Sequence, residues 1–161
     1  MDNVLIDKSQ QHNTRLLSRH TFYCFMKHLL PFLAGFVAFI VISSVFYMGI
    51  MPYPTSSCVV PQDQMDPAFM LLGNAFMVGL AVYMIHLGGD FSLRTSAIHG
   101  AVAGLTANGM LNIFVYAFFT CDGGHIFPIS EVFIDIIANV IFMAISGAAI
   151  GALYARGAAK S

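Results

Sequence analysis

With 161 residues, 58% of them hydrophobic and only 9% charged, and a mean hydropathy of +0.77, the chain cannot clothe a water-facing surface; a soluble domain carries roughly 25% charged residues. A formal net charge of −1 leaves no basic field for nucleic acid. The length suits one membrane domain and leaves no room for a second globular one.

Residues 1–27 read as a polar tail in which Lys8, Arg15, Arg19 and Lys27 outnumber Asp2 and Asp7. It has no short apolar core followed by a small-residue cleavage site, so no removable signal peptide is expected. Leu16, Leu17, Phe22 and Phe25 fall roughly on one side of a surface helix; a solvated tail with a basic flank is the simpler reading.

Residues 28–155 read as four transmembrane helices. The first runs over about 29–51, with Pro31 in its opening turn and a stop at Met51-Pro52-Tyr53-Pro54. A loop with Cys58 and Asp63 leads to Asp66-Pro67, an N-cap followed by proline at the first helical position. The second helix covers about 68–87 and ends at Gly88-Gly89. A link through Asp90 and Arg94 reaches Thr95 and Ser96, candidate caps for a third helix over about 97–119. The loop around Cys121, Asp122 and His125 follows, closed by Pro128, with Ser130 as cap of a fourth helix over about 132–154. Each segment approaches the ~20 residues that a ~30 Å hydrocarbon core requires. Residues 156–161 form a short tail. The fold class is therefore all-α, an antiparallel four-helix membrane bundle.

All seven Lys and Arg residues fall in the two tails or the second link. The first and third loops hold Asp63, Asp66 and Asp122 instead. By the positive-inside rule both termini are cytoplasmic, and those loops face outward. An oxidising outer compartment permits a Cys58–Cys121 disulfide, which competes with two free thiols.

Glu131, Asp135 and Asn139 stand four residues apart in the fourth helix, along one stripe. A ~1.5 Å rise per residue puts Asn139, Asn112, Asn74 and the Ser43-Ser44 pair in one layer, roughly 10 Å beneath the outer surface, with Asn108 one turn deeper. Asp135 and Tyr116 lie one turn above, with Asp135 shallow enough to hydrate or to hydrogen-bond Tyr116. The layer admits two readings: amides that fix helix register, or a site for a proton, a cation or a polar headgroup. Gly100-x-x-x-Gly104 and Gly147-x-x-x-Gly151 match the spacing for close helix contact in the inner half. They predict a splay that opens an outward cleft lined by Asn74, Asn112, Tyr116, Asp135 and Asn139. The same faces also suit another subunit. His28, His86 and His99 share a depth but form no local ligand pair, so neither a metal nor a cofactor is expected. The ten methionines read as packing or lipid-facing residues.

Gly73-Asn74-Ala75-Phe76 resembles a block of lipoprotein signal peptidases, whose chemistry needs two intramembrane aspartates where this chain offers Asp135 alone. Quinone-linked disulfide oxidoreductases of four spans need paired outer-loop cysteines, which are absent. Over about 68–154 the chain is similar to small uncharacterised bacterial four-span proteins. The likeness rests on Gly73-Asn74-Ala75 with Gly79, a glycine-rich third helix reaching Asn112, Val132 to Asp135, and Gly147 to Gly151. That family implies no activity. Without a catalytic set, the expectation is a non-enzymatic accessory or structural subunit that meets the bilayer and other membrane subunits or itself. The alternative is a small transporter or ligand-binding protein that uses the cleft.

Overall fold

The computed structural model describes residues 27–51, 58–121 and 123–159, with Gln62 described by its backbone alone. Four helices dominate: α1 (Lys27–Gly49), α2 (Pro67–Gly88), α3 (Leu93–Phe118) and α4 (Ile129–Ala158). Each is long and apolar enough to cross a membrane. A single 3-10 turn, Gln62–Gln64, precedes α2, and a hairpin of β1 (Thr120–Cys121) and β2 (Gly124–His125) joins α3 to α4. The surface-helix reading of Leu16 to Phe25, the prolines at 52 and 54, Asp122 and the final residues 160–161 lie outside the described residues.

Local chemistry sets the helix ends. Asp66 Oδ1 accepts the backbone N–H groups of Ala68 (2.8 Å) and Phe69 (3.4 Å), and Pro67 occupies the first position of α2. Gly89, at φ 69°, takes the left-handed conformation that ends that helix. Two of the expected caps are corrected. α3 starts at Leu93 and its cap is Ser92, whose Oγ accepts from Thr95 N (3.3 Å), so Thr95 and Ser96 already lie in the first turn. The neighbouring Asp90 decides the choice. It accepts from the Thr95 hydroxyl (2.6 Å) and from Ser92 N (2.9 Å), and those two bonds hold its carboxyl below the usual carboxylate range. α4 starts at Ile129, and Pro128, with an extended ψ of 144°, takes the cap position, its carbonyl accepting from Glu131 N (3.0 Å) and Val132 N (3.2 Å). Ser130 is therefore inside the first turn and caps nothing.

Consecutive helices run antiparallel, and α4 is the central one. Half of its most apolar window is buried, 50% against 17–22% for the other three. Against α1 it packs Tyr154 on His28 and Phe142 on Phe39. Against α2 it sets Tyr154 6.0 Å from His86. Against α3 it presents glycine to glycine: a Cβ on Gly147 would lie 3.0 Å from Gly100 Cα and overlap the Ser96 carbonyl oxygen. A Cβ on Gly104 would meet Asn139 O at 2.9 Å, and one on Gly151 would overlap the Ser96 hydroxyl. All four glycines thus face α3 or α4 within this chain, along the half that holds the α1 start and the α4 end. Dispersion contact at such short range is the main attraction between helices in an apolar solvent.

α3 is not uniform. Leu105–Gly109 form a π-helical turn. Such turns leave backbone carbonyls without their regular partners and recur at functional sites. Here the Asn112 side chain reaches back to Asn108 O (3.1 Å) and Asn108 Oδ1 (2.8 Å), satisfying the widened turn and stacking the two amides on one face.

Candidate functional site

At the loop end of the bundle, beyond the glycine contact, the four helices enclose a cavity of about 530 Å³. Asn74 from α2, Asn112 from α3 and Asp135 and Asn139 from α4 all line it, as do Ser43 and Ser44 from α1. A carboxylate sits at the centre of its polar wall. The Tyr47 hydroxyl donates to Asp135 Oδ1, and Asn112 Nδ2 donates to Asp135 Oδ2 at 2.8 Å. Asn139, 4% exposed, gives one N–H to Tyr47 Oη (2.9 Å) and another to the Asp135 carbonyl (3.0 Å). Residues from α1, α3 and α4 therefore converge on one acid, each of whose side-chain oxygens accepts a hydrogen bond. Among the described residues no ion pair forms around it, and no Lys or Arg lines the cavity.

The tyrosine at Asp135 is a correction. Tyr116 shares the expected depth but stands apart: its ring stacks on His125, with centroids 3.9 Å apart and planes at 15°. His125 Nδ1 also bonds the Tyr116 carbonyl (2.9 Å). The hairpin after Phe118 folds back over the end of α3 and engages that ring. The place opposite Asp135 goes to Tyr47, which α1 supplies because α1 packs along α4. Its signal in the sequence is the four-residue step from Ser43, which continues the polar stripe of α1 by one turn.

Met48, Met51, Met65, Met70 and Met77, five of the ten in the chain, also line the cavity, and Met48 and Met70 are exposed as lipid-facing residues would be. Their clustering within 30 residues of sequence, on both sides of the first loop, is the signal that could have found this wall. Phe39, Phe127 and Val132 extend this apolar wall, and Glu131 joins Asp135 as a second acid one turn nearer the mouth.

Cys58 and Cys121 form a disulfide, with Cα atoms 6.0 Å apart, between the first loop and β1. Val59, next to Cys58, lines the cavity, as does Phe127 just past the hairpin, so the bridge ties together two segments of the mouth. It closes a loop across 63 residues, a span for which cross-linking contributes about 2–4 kcal/mol by restricting the unfolded chain. Replacing both cysteines by serine is expected to cost the fold that much, read as a lower unfolding temperature in mild detergent. Intact mass under non-reducing conditions should show two fewer hydrogens than the reduced chain.

At the opposite end His28 and His86 meet edge to face, 4.5 Å between centroids, and Tyr154 bonds His28 Nδ1 at 2.6 Å. His99 instead packs against Gly88. No group of three or more His, Cys, Asp or Glu suited to a metal occurs among the described residues. No family model, curated protein or solved structure matches this chain.

Proposed function

We propose that this is a multi-pass inner-membrane protein that binds a small solute, as a transporter or receptor does, in a cavity open to the outer face. The observation that carries the reading is Asp135: a carboxylate inside an apolar helix, presented to a cavity by residues of three helices, with no basic partner among the described residues of the cavity wall. Ionisable groups inside a spanning segment carry a cost to the fold, and they persist where they meet a solute, an ion or a proton. The orientation is supported by charge. Lys27, Arg94 and Arg156 cluster at the end opposite the cavity, while Asp63, Asp66 and Glu131 surround its mouth. The four glycines that suggested partner-facing surfaces, Gly100, Gly104, Gly147 and Gly151, are engaged between α3 and α4, which removes that support for an accessory-subunit role.

Accessibility tests this reading. In a Cys24→Ser background, Ser44→Cys in the cavity is expected to react with a membrane-impermeant thiol reagent from outside intact cells. Phe76→Cys, on an exposed apolar face (73% exposed), should stay unlabelled. Reaction of Ser44→Cys only in inside-out vesicles would reverse the orientation. Failure to react in either, or purification in mild detergent only with a partner at fixed stoichiometry, would overturn the solute-binding role.

A further inference from the structure

We infer that the cavity takes an organic ammonium ion, a primary amine on an apolar and preferably aromatic body. This rests on the solute-binding reading above and names the ligand class for it.

The polar wall is acceptor-rich around Asp135. Asn139 commits both amide hydrogens, to Tyr47 Oη and the Asp135 carbonyl, and its side-chain oxygen receives no donor from the described residues. Asn112 commits its Nδ2 hydrogens to Asp135 and Asn108, and its own oxygen likewise stays open. Tyr47 gives its one hydroxyl proton to Asp135. Each Asp135 oxygen receives one donor and has room for a second. A ligand at this point must therefore bring hydrogen-bond donors and positive charge together, because a partly buried carboxylate and open amide oxygens repel an anion and give little to a neutral ether or ester. An ammonium group supplies three donors and a compact charge. A quaternary ammonium supplies the charge without the donors.

The rest of the cavity argues against a bare inorganic ion. Its roughly 530 Å³ lies within the range of small-molecule sites, about 300–1,000 Å³. Eleven of the twenty lining residues among those described are apolar, and the five methionines form the largest group among them. A small cation at Asp135 would leave those thioethers facing water. Thioethers are flexible and polarisable, and they make favourable contacts with aromatic rings at about 5 Å. A carboxylate and several methionines lining the same cavity suit an amphipathic monocation.

Calorimetric titration of the purified protein in mild detergent tests the class, with four probes: 2-phenylethylamine, its quaternary trimethyl derivative, 2-phenylethanol and sodium chloride. Each is titrated into wild type and into Asp135→Asn, so that partition into micelles appears equally in both. Saturable binding of 2-phenylethylamine to wild type is expected, at least thirtyfold weaker in Asp135→Asn. The quaternary analogue should bind at least tenfold more weakly than the amine, and the alcohol and sodium should not discriminate between the two proteins. If the alcohol, sodium or the quaternary analogue shows Asp135-dependent binding that equals or exceeds that of the amine, the ligand class is wrong and the solute-binding reading stands. If none of the four distinguishes wild type from Asp135→Asn, while that variant purifies as a folded protein, both fall together.

Discussion

A single methyl group added at Gly147 is expected to destabilise the bundle by about 3 kcal/mol or more, enough to lose folded protein at ordinary expression temperatures. The reason lies in what the methyl would meet. At Gly147 the obstacles are the Ser96 carbonyl and the Gly100 Cα at 3.0 Å, both backbone, and neither can turn aside as a flexible side chain does. α3 and α4 would have to separate along their whole close-packed half. Lipid offers no compensation for that separation, since apolar burial gives helices little reason to associate there. Gly79→Ala is the control. It sits in the middle of α2 with nothing within 4 Å of an added Cβ, so alanine should leave stability unchanged or raise it by up to about 1 kcal/mol through lower chain entropy in the unfolded state. Thermal unfolding of both variants in one detergent checks the pair. Equal behaviour would mean that the α3–α4 contact is looser than the backbone geometry requires, and that its glycine faces are free for partners after all.

Depth along each helix is readable from the sequence, and azimuth is not. A fixed rise per residue converts position into height, which is why Asn74, Asn112, Asn139 and the serines of α1 share a level in the sequence and surround one cavity in the fold. Which tyrosine faces Asp135 depends instead on which helices are neighbours. Nothing in the chain ranks Tyr116 against Tyr47, because helix neighbours follow from side-chain fit; the Asp122-Gly123 pair signals a two-residue turn after α3 but not where its hairpin packs. The π-helical turn at Leu105–Gly109 is equally hidden; only the Asn108-Gly109 pair hints at an irregularity. Helix ends are hard to place where several hydroxyl residues compete for the cap. Between Ser92, Thr95 and Ser96 the local preference is nearly flat, and the Asp90 carboxylate, binding Ser92 and Thr95 at once, makes the selection. The methionines are illegible for a different reason. Met is equally at home against lipid, in a core or on a cavity wall, so its identity carries no address until the helices are assembled.

Asp135→Asn is expected to separate a structural role for the acid from a binding one. Asparagine keeps the shape and one acceptor oxygen for the Tyr47 hydroxyl, and the Asn112 and Asn108 amides can turn to meet the new N–H donors. Hydrogen bonds between membrane helices contribute about 0.6 kcal/mol on average, so the fold should lose no more than about 1 kcal/mol. An ammonium ligand would lose its counterion, a change of about 2 kcal/mol or more for a desolvated charge pair, which is at least thirtyfold in affinity. Tyr47→Phe probes the same centre from the other side. It leaves the carboxylate in place but removes a donor to Asp135 and an acceptor for Asn139, so binding should weaken by less than tenfold while stability drops more than in Asp135→Asn. The reverse order carries the opposite meaning. If Asp135→Asn unfolds the protein by the roughly 3–5 kcal/mol typical of breaking a buried charged contact, and Tyr47→Phe does the same, the layer of amides and acid exists to lock α1, α3 and α4 in register, and the cavity beside it is a consequence of that lock.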